Sequence, residues 1–207
     1  MKIYLRDRNL TLCNYWKDIF SKEPDVNVSC GDIFEEGEHL NVDAIVSPAN
    51  SLGFMDGGID YVYSEYFGWK MSSDLQEHLW QHHDGELLVG QAAIIDIRKS
   101  NANTKIPYLI SAPTMRVPMD VSKTVNAYLA FVATLRVAMD NGIKSLLCPG
   151  LGTAIGKMPY DICAVQMYEA YKRYDKPRRH DLLGDAYIHH QAMMNSRAYL
   201  TGGYKKD

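Results

Sequence analysis

The chain lacks long apolar runs, paired cysteines and a strong net charge, and each absence argues against a class of function. No apolar stretch approaches the roughly 18 residues that a membrane-spanning helix needs. Residues 1–7 alternate apolar and polar side chains instead of forming the apolar core of a signal peptide. We therefore expect a soluble, cytoplasmic protein that has no membrane partner.

The cysteines form no C-x-x-C pair, which argues against both a disulfide framework and a zinc site. Buried, reduced thiols are expected instead, because each cysteine lies in or beside an apolar stretch. The adjacent histidines at 82–83 and at 189–190 would point in different directions on a helix. We therefore predict no bound metal and no cofactor. The four cysteines are Cys13, Cys30, Cys148 and Cys163.

The composition is that of an ordinary globular protein. Hydrophobic residues make up 46% and charged residues 23% of the 207 residues, which is enough for one domain with a full core. The formal net charge of −3 argues against general nucleic-acid binding, whose affinity comes from neutralising phosphates. A basic cluster at 172–179 is interpreted as a solvated helix end and linker, with an acidic ligand as the alternative.

Short apolar runs alternate with helical patterns, which predicts an α/β sandwich around a mostly parallel sheet. We assign residues 1–176 to one domain and 177–207 to a C-terminal helical extension of it. Predicted strands cover 2–6, 26–29, 42–47, 92–97, 107–112 and 144–148. Predicted helices cover 10–20, 60–66, 73–83, 121–139, 160–174 and 181–200. The apolar face predicted for the longest helix consists of Val125, Leu129, Val132, Leu135 and Met139.

The most informative segment is residues 42–60, where an apolar strand runs into a glycine loop before a helix. The strand is followed by Asn50, a Gly57-Gly58 pair and Asp60. Glycine lets backbone N–H groups approach a ligand, and a helix N-terminus favours negative charge, so the segment predicts a phosphate-bearing ligand. The Asp60 carboxylate would repel a phosphate and is expected to serve another part of the ligand. The alternative is that Asp60 only caps the helix.

A second glycine loop, at residues 150–156, follows the last predicted strand. It is not a Walker A motif, because the spacing of its glycines is wrong and Met158 follows Lys157 where that motif needs Ser or Thr. The loop also departs from the dinucleotide motif G-x-G-x-x-G, because the spacing of its glycines differs by one residue. The loop instead predicts backbone amides that cradle a diphosphate without metal, with a plain tight turn as the alternative.

Three further side chains lie in or directly after predicted strands. Asp32 could accept a hydrogen bond from the exocyclic amine of a ligand, or could be an ordinary turn residue. Arg116 could pair with a ligand phosphate or equally with an acidic surface residue. Cys148 lies inside an apolar strand, where the pKa of its thiol is expected to rise, and the chain has no G-x-S-x-G motif. The sequence therefore gives no support for a nucleophilic serine or cysteine.

Taken in order, these segments resemble the motifs of the macro domain, the ADP-ribose-binding family. The family pattern reads roughly G-D-I, then D-A-I-V-N-A-A-N, then G-G-G-V-D, then G-x-A and a second phosphate loop. The resemblance covers roughly residues 26–175, and a weaker one, at 113–118, is to macro domains encoded by bacteriophages. The matching segments are Gly31-Asp32-Ile33, Asp43-Ala44-Ile45-Val46-Ser47-Pro48-Ala49-Asn50, Gly57-Gly58-Ile59-Asp60, Gly90-Gln91-Ala92 and Pro149-Gly150-Leu151-Gly152-Thr153-Ala154-Ile155-Gly156.

The resemblance implies a three-layer α/β/α sandwich with a mixed, mostly parallel sheet, and ADP-ribose or an ADP-ribosylated substrate as the partner. It assigns Asp32 to the adenine amino group and places Ile33 beside the ring. It makes Asn50 the residue that orients a ribose hydroxyl, and Asp60 the one that polarises water or stabilises charge at the anomeric carbon. The implied ligand-binding positions are Asp32, Ile33, Ala49, Asn50, Gly57, Gly58, Ile59, Gly150, Gly152, Thr153, Ala154, Ile155 and Gly156.

Two functions follow from this resemblance. The first is hydrolysis of an ADP-ribose derivative, such as ADP-ribosylated protein, the 1″-phosphate or an ester. The second is non-catalytic binding of ADP-ribose or a related nucleotide signal, and departures from the family pattern keep it open. Residues 54–56 replace glycines, Gly156 stands where the family has an aromatic residue, and Ala154 replaces a glycine. A scaffold component that binds no ligand is a third, more remote, possibility.

Overall fold

The computed structural model describes residues 1–175 and 180–197. The strands are β1 Lys2–Asp7, β2 Val26–Cys30, β3 Ala44–Ser47, β4 Ala93–Asp96, β5 Tyr108–Ser111 and β6 Ser145–Cys148. The helices are α1 Leu10–Ile19, α2 Gly58–Phe67, α3 Lys70–His83, α4 Asn126–Asp140, α5 Tyr160–Asp175 and α6 Leu183–Met193. All the predicted strands are confirmed, with ends shifted by one or two residues. Helix α6 is shorter than the predicted 181–200, of which 198–200 lie outside the described residues.

The strands form one mixed sheet in the order β2-β1-β6-β3-β5-β4. Every neighbouring pair is parallel except β4 and β5, which run antiparallel. All four residues of β3 are buried, because this strand lies inside the sheet and has helices on both faces. That burial explains why β3 is a continuous apolar run in the sequence and does not alternate.

Helices cover both faces of the sheet and enclose a separate apolar core on each side. One core contains Trp16 of α1 and Phe131 of α4, and α5 packs against both helices. The other core contains Tyr63 of α2 and Leu75 of α3. Helix α6 packs on α5 and contributes Met193 to the first core. The three-layer α/β/α prediction is therefore confirmed.

Helix α4 begins later than predicted and buries more of its surface than the predicted face. Residues 121–125 form a turn in which the Val121 N–H donates to the carbonyl oxygen of Gly156 at 2.8 Å, so they pack with the second glycine loop. The predicted apolar face is confirmed except at its end: Leu135 is fully buried, Val125, Leu129 and Val132 are half-buried and pack against the first core, and Met139 is 53% exposed. Small residues dominate the observed face, which lets α5 approach closely. That face comprises Ala127, Tyr128, Ala130, Phe131, Ala133, Thr134, Leu135 and Ala138.

The parallel strands all end at one edge of the sheet, which we call the carboxyl edge. Here β2 leads into Gly31, β3 into the first glycine loop (residues 48–57) and β6 into the second (residues 149–157). The ends of β3 and β5 are in register, with Ser47 opposite Ser111. In open α/β sheets the crevice outside these strand ends is the usual place for a ligand.

No helix within the described ranges combines the length and apolarity that crossing a membrane requires.

Candidate functional site

Two cavities lie side by side along the carboxyl edge and share a wall formed by Gly58, Ile59 and Ala154. The first, the Asp60 cavity, has a volume of about 100 Å³, and the second, the Asp32 cavity, of about 220 Å³. The Asp60 cavity is lined by Pro48, Ala49, Asn50, Phe54, Asp56, Gly57, Gly58, Ile59, Asp60, Thr114, Met115, Pro118, Gly152, Ala154, Ile155 and Gly156. The Asp32 cavity is lined by Arg6, Asp7, Arg8, Gly31, Asp32, Ile33, Gly58, Ile59, Val62, Pro149 and Ala154.

The Asp60 carboxyl is almost completely buried at the start of α2, with 7% of the residue exposed. Its Oδ1 accepts a hydrogen bond of 2.6 Å from the Ser47 hydroxyl at the end of β3. Burial raises the pKa of this carboxyl to about 7, and the Ser47 hydrogen bond opposes that rise. The capping alternative was wrong, because the N-cap of α2 is Gly57 and Asp60 lies within the first turn.

The Asn50 side chain holds the first glycine loop together. Its Oδ1 accepts from the backbone N–H groups of Leu52 at 3.1 Å and Phe54 at 3.3 Å. Its Nδ2 donates to the Phe54 carbonyl oxygen at 2.9 Å. The amide therefore lines the Asp60 cavity while it is bonded to its own loop, and one N–H of Nδ2 is left for a ligand.

The Asp32 carboxylate forms an ion pair with the Arg8 guanidinium and also accepts the Phe34 N–H at 2.8 Å. The hydrogen bond from Arg8 and then that from Phe34 lower the pKa of this carboxyl. Arg6 Nε donates to the Asp32 carbonyl oxygen at 2.7 Å and fixes the turn from behind. Asp32 is thus both a turn residue and a charged acceptor on the wall of its cavity, with Ile33 beside it.

Glycine is needed at the cavity walls for two physical reasons. Gly58 and Gly152 have φ of +57° and +71°, a left-handed geometry that residues with a Cβ rarely adopt. At Gly156 a Cβ would lie 2.5 Å from the Gly152 carbonyl oxygen, so no side chain fits there. The loops face each other through Ile155, whose Cδ1 lies 3.9 Å from a Cβ built at Gly58.

Two residues implied by the resemblance, Gly150 and Thr153, line neither cavity. The Gly150 N–H donates to Asp7 Oδ2 at 3.1 Å, and a Cβ at this position would lie 2.6 Å from Leu12 Cδ2. The need for glycine at position 150 is therefore explained by packing against β1 and α1. The neighbouring residue Pro149 lines the Asp32 cavity instead.

Sequence reasoning missed several residues of the site. Residues 6–8 close the Asp32 cavity because β1 ends at the same edge as β3 and β6. The signal was available in the sequence, since parallel strands deliver their ends together. The contact between Ser47 and Asp60 had no such signal. Arg116 pairs with Glu86, Nε to Oε1 at 2.7 Å, so its surface-pairing alternative is the one observed.

The cysteines are free, and burial raises the pKa of Cys148 well above its ordinary value, as expected from its strand. Cys13 and Cys163 are buried too, while Cys30 is half-buried. A buried thiol with a raised pKa is a poor nucleophile, so Cys13, Cys148 and Cys163 are structural.

A larger cavity of about 520 Å³ lies along α3, away from the glycine loops. His78 and His82, one helical turn apart with ring centroids 4.6 Å from each other, lie on its wall. This His-x-x-x-His spacing is present in the sequence, so the expectation that no such pair occurs was wrong. Lys70 already pairs with Asp74 there at 2.6 Å. Across residues 1–175 and 180–197, no three or more His, Cys, Asp or Glu side chains are placed to hold a metal.

A family model described as "Macro domain" matches residues 46–167 of the chain. Uncharacterized proteins of two thermophiles are also similar. That of Aquifex aeolicus is 30% identical over 151 residues, which is 73% of this chain and 83% of that protein. That of Aeropyrum pernix is 33% identical over 129 residues, or 62% of this chain and 61% of that protein.

Solved structures of macrodomains share the fold. The macrodomain of Mycobacterium tuberculosis DarG has a TM-score of 0.55 at 20% identity, covering 68% of this chain and 89% of that chain. An Oceanobacillus iheyensis macrodomain mutant with ADPR has a TM-score of 0.59 at 15% identity, covering 72% of this chain and 77% of that chain. A Trypanosoma brucei macrodomain in complex with ADP has a TM-score of 0.51 at 16% identity, covering 66% of this chain and 53% of that chain. The chain therefore belongs to the macro domain family.

Proposed function

We propose that this protein binds ADP-ribose or an ADP-ribosyl compound and hydrolyses an ADP-ribose derivative. The observation that carries the proposal is the pair of adjoining cavities at the carboxyl edge. An ionised acceptor, Asp32, lies at one end and a buried carboxyl, Asp60, at the other, with glycine loops at the shared wall.

Binding would place each part of the ligand against matching chemistry. The lowered pKa of Asp32 keeps its carboxylate available to accept the adenine amino group. The shared wall, at the N-terminus of α2, offers backbone N–H groups and a helix dipole to the diphosphate. The distal ribose would then lie in the Asp60 cavity. The Oceanobacillus iheyensis and Trypanosoma brucei macrodomains, solved with ADPR and ADP, support this class of ligand.

Hydrolysis would occur at the anomeric carbon of the distal ribose. Water adds to this carbon as the bond to the leaving group breaks, and the leaving group takes a proton from solvent. The ionised Asp60 would accept the proton of the water and stabilise positive charge on the ring. Its buried position strengthens both effects because little water screens the carboxylate.

Non-catalytic binding is the second candidate, and the hydrogen bonds of Asn50 favour it. The side-chain oxygen is used by two backbone N–H groups of its own loop, and Nδ2 donates to a carbonyl there. An amide bonded in this way supports the shape of the cavity more directly than it supports chemistry.

The proposal is tested by binding and turnover in parallel. Calorimetry with ADP-ribose, AMP and ribose-5-phosphate measures binding, and release of ADP-ribose from mono-ADP-ribosylated protein and from ADP-ribose 1″-phosphate measures turnover. For a hydrolase, Asp60→Ala should lower turnover at least about 100-fold. Its affinity for ADP-ribose should hold or improve, because a carboxylate near an anion is removed. Binding without wild-type turnover on any substrate would identify a binding module, and absence of binding would overturn both candidates.

A further inference from the structure

The contact between Ser47 and Asp60 joins the two ends of the first glycine loop, the last residue of β3 and the first turn of α2. Ser47 is the last residue of β3 and is completely buried. Its Oγ donates to Asp60 Oδ1 at 2.6 Å, and this bond leaves the second carboxyl oxygen for a water or ligand in the cavity. Ser47 also stands where the macro domain pattern quoted above has an asparagine.

We propose that Ser47 is a positioning residue that holds the Asp60 carboxyl in one orientation at the cavity wall and favours its ionised form. This inference rests on the proposed function, since it gives Asp60 its place in binding and hydrolysis. Ser47 itself does not touch the substrate in this scheme; it acts through Asp60.

The backbone around Ser47 is fixed, so its hydroxyl is a reliable donor. Pro48 follows and restricts Ser47 to extended geometry. The Tyr63 hydroxyl of α2 donates to the Val46 carbonyl oxygen at 3.0 Å, which ties the end of β3 to the helix that carries Asp60. Strand and helix are therefore held at a constant separation by a second bond that does not involve the carboxyl.

The environment of Asp60 makes this hydroxyl important. Burial disfavours the ionised carboxyl, and the hydrogen bond from Ser47 favours it. Tyr63 lies on the same helix with its pKa raised by burial, so it stays neutral. Asp56, on the cavity wall, is an acidic neighbour and offers no stabilising positive charge. Without Ser47, the buried carboxylate has lost its donor.

The chain offers a closely matched control at Ser111. This serine is opposite Ser47 on the neighbouring strand β5, is 1% exposed, and its hydroxyl has no hydrogen-bond partner among the described residues. Ser111→Ala thus removes the same atom at the same depth of the sheet without touching Asp60. Any general effect of deleting a buried hydroxyl should be seen in both variants.

The test is a carbon-13 NMR titration of the Asp60 carboxyl in the full chain, for wild type, Ser47→Ala, Ser47→Cys and Ser111→Ala. We expect the Ser47→Ala midpoint to rise by about one pH unit, the scale of one hydrogen bond to a charged group. Ser47→Cys has a weaker donor of similar size, so its midpoint should lie between those of wild type and Ser47→Ala. This variant serves as the readout if Ser47→Ala does not fold. Ser111→Ala should match wild type.

Turnover adds a second, separate readout. Where the protein hydrolyses its substrate, the acidic limb of the pH–rate profile should shift to higher pH in Ser47→Ala, by the same amount as the NMR midpoint. In an Asp60→Asn background, Ser47→Ala should change neither affinity nor rate further. Unchanged midpoints in Ser47→Ala and Ser47→Cys, or an equal shift in Ser111→Ala, would overturn the inference. A shifted midpoint with no turnover in any protein would uphold the Ser47 role and reject the proposed hydrolysis.

Discussion

The two aspartates at the cavity walls have the same side chain and opposite surroundings. Asp32 is partly exposed beside the Arg8 guanidinium, which lowers its pKa, whereas Asp60 is buried without a cation and its pKa rises to about 7. Because of these surroundings, Asp32 is a charged acceptor at neutral pH, whereas the Asp60 carboxyl changes its charge near neutral pH. The two residues are suited to different parts of one ligand.

Asp32→Ala should weaken adenine-containing ligands by about 1–3 kcal/mol, because one charge-assisted hydrogen bond to the amine is lost. Ribose-5-phosphate, which has no adenine, should bind as before in calorimetry. Arg8→Ala is the companion variant: it removes the ion-pair partner, leaves the acceptor, and should affect binding less than Asp32→Ala does. Equal losses for adenine-containing and adenine-free ligands would mean that Asp32 only shapes the turn.

Asn50→Ala should reduce both affinity and turnover. The variant removes the side chain that accepts the Leu52 and Phe54 N–H groups and donates to the Phe54 carbonyl, so the first glycine loop loses its internal support. Asn50→Asp retains the two accepting interactions and should recover part of the affinity, unless its charge repels the diphosphate. Full affinity in Asn50→Ala by calorimetry would show that neither the loop bonds nor the amide matters for binding.

The glycine loops are shaped by contacts with their neighbours as much as by glycine itself. The second loop is bonded to residue Val121 through Gly156 and closes on itself where the Met158 N–H donates to the Gly152 carbonyl oxygen at 2.9 Å. The turn before α4 (residues 121–125) is therefore part of the loop's support. This explains why the helix cannot begin at the predicted residue.

Gly152→Val should abolish ADP-ribose binding while the fold remains. The left-handed geometry resists a branched side chain, and a Cβ there would lie 3.2 Å from Cγ2 of the buried Val121. Gly142→Val is the matched control, because Gly142 has a nearly equal φ of +68° and nothing within 4 Å of its Cβ position. Both variants carry backbone strain, but only Gly152→Val also crowds the residues that support the second glycine loop. If calorimetry finds similar ADP-ribose affinity in Gly152→Val and Gly142→Val, the second glycine loop does not bind the diphosphate.

Across the whole molecule, Asp60 links stability to pH. Its pKa is 3.8 ordinarily and about 7 in the folded protein, so between these values the folded state holds a proton that the unfolded chain has lost. The stabilising effect of this proton is complete below pH about 4 and is lost as pH rises through about 7.

Asp60→Asn should therefore become more stable relative to wild type as pH rises from 5 to 8. Over this range the change is limited to about 3 kcal/mol, the free energy equivalent of the roughly two pH units between pH 5 and the folded pKa. Chemical denaturation of both proteins at pH 5, 6, 7 and 8 measures the free energy of unfolding directly. Parallel pH dependence in the two proteins would show that Asp60 titrates normally in the fold.

Features governed by neighbouring residues were predictable from the chain. Strands such as β3 and β6 are short apolar runs because a parallel sheet covered on both faces excludes polar side chains. The first glycine loop was recognisable because left-handed backbone and close approach of a ligand both favour glycine. The edge that collects these loops follows from parallel pairing alone, so the positions of Asn50, Asp60 and Asp32 at one edge were also predictable.

What required the folded molecule are contacts between residues far apart in sequence. Nothing in the local pattern places Arg8 against Asp32 or Gly150 against Asp7, because both contacts depend on the strand order β2-β1-β6. The bond from Ser47 to Asp60 depends on how α2 sits over the end of β3. Apolar periodicity likewise could not say that four alanines of α4 are buried, since alanine is found in exposed and buried positions of helices alike. Local propensities specify elements and loops, whereas burial, and with it the charge of each carboxyl, is a property of the assembled layers.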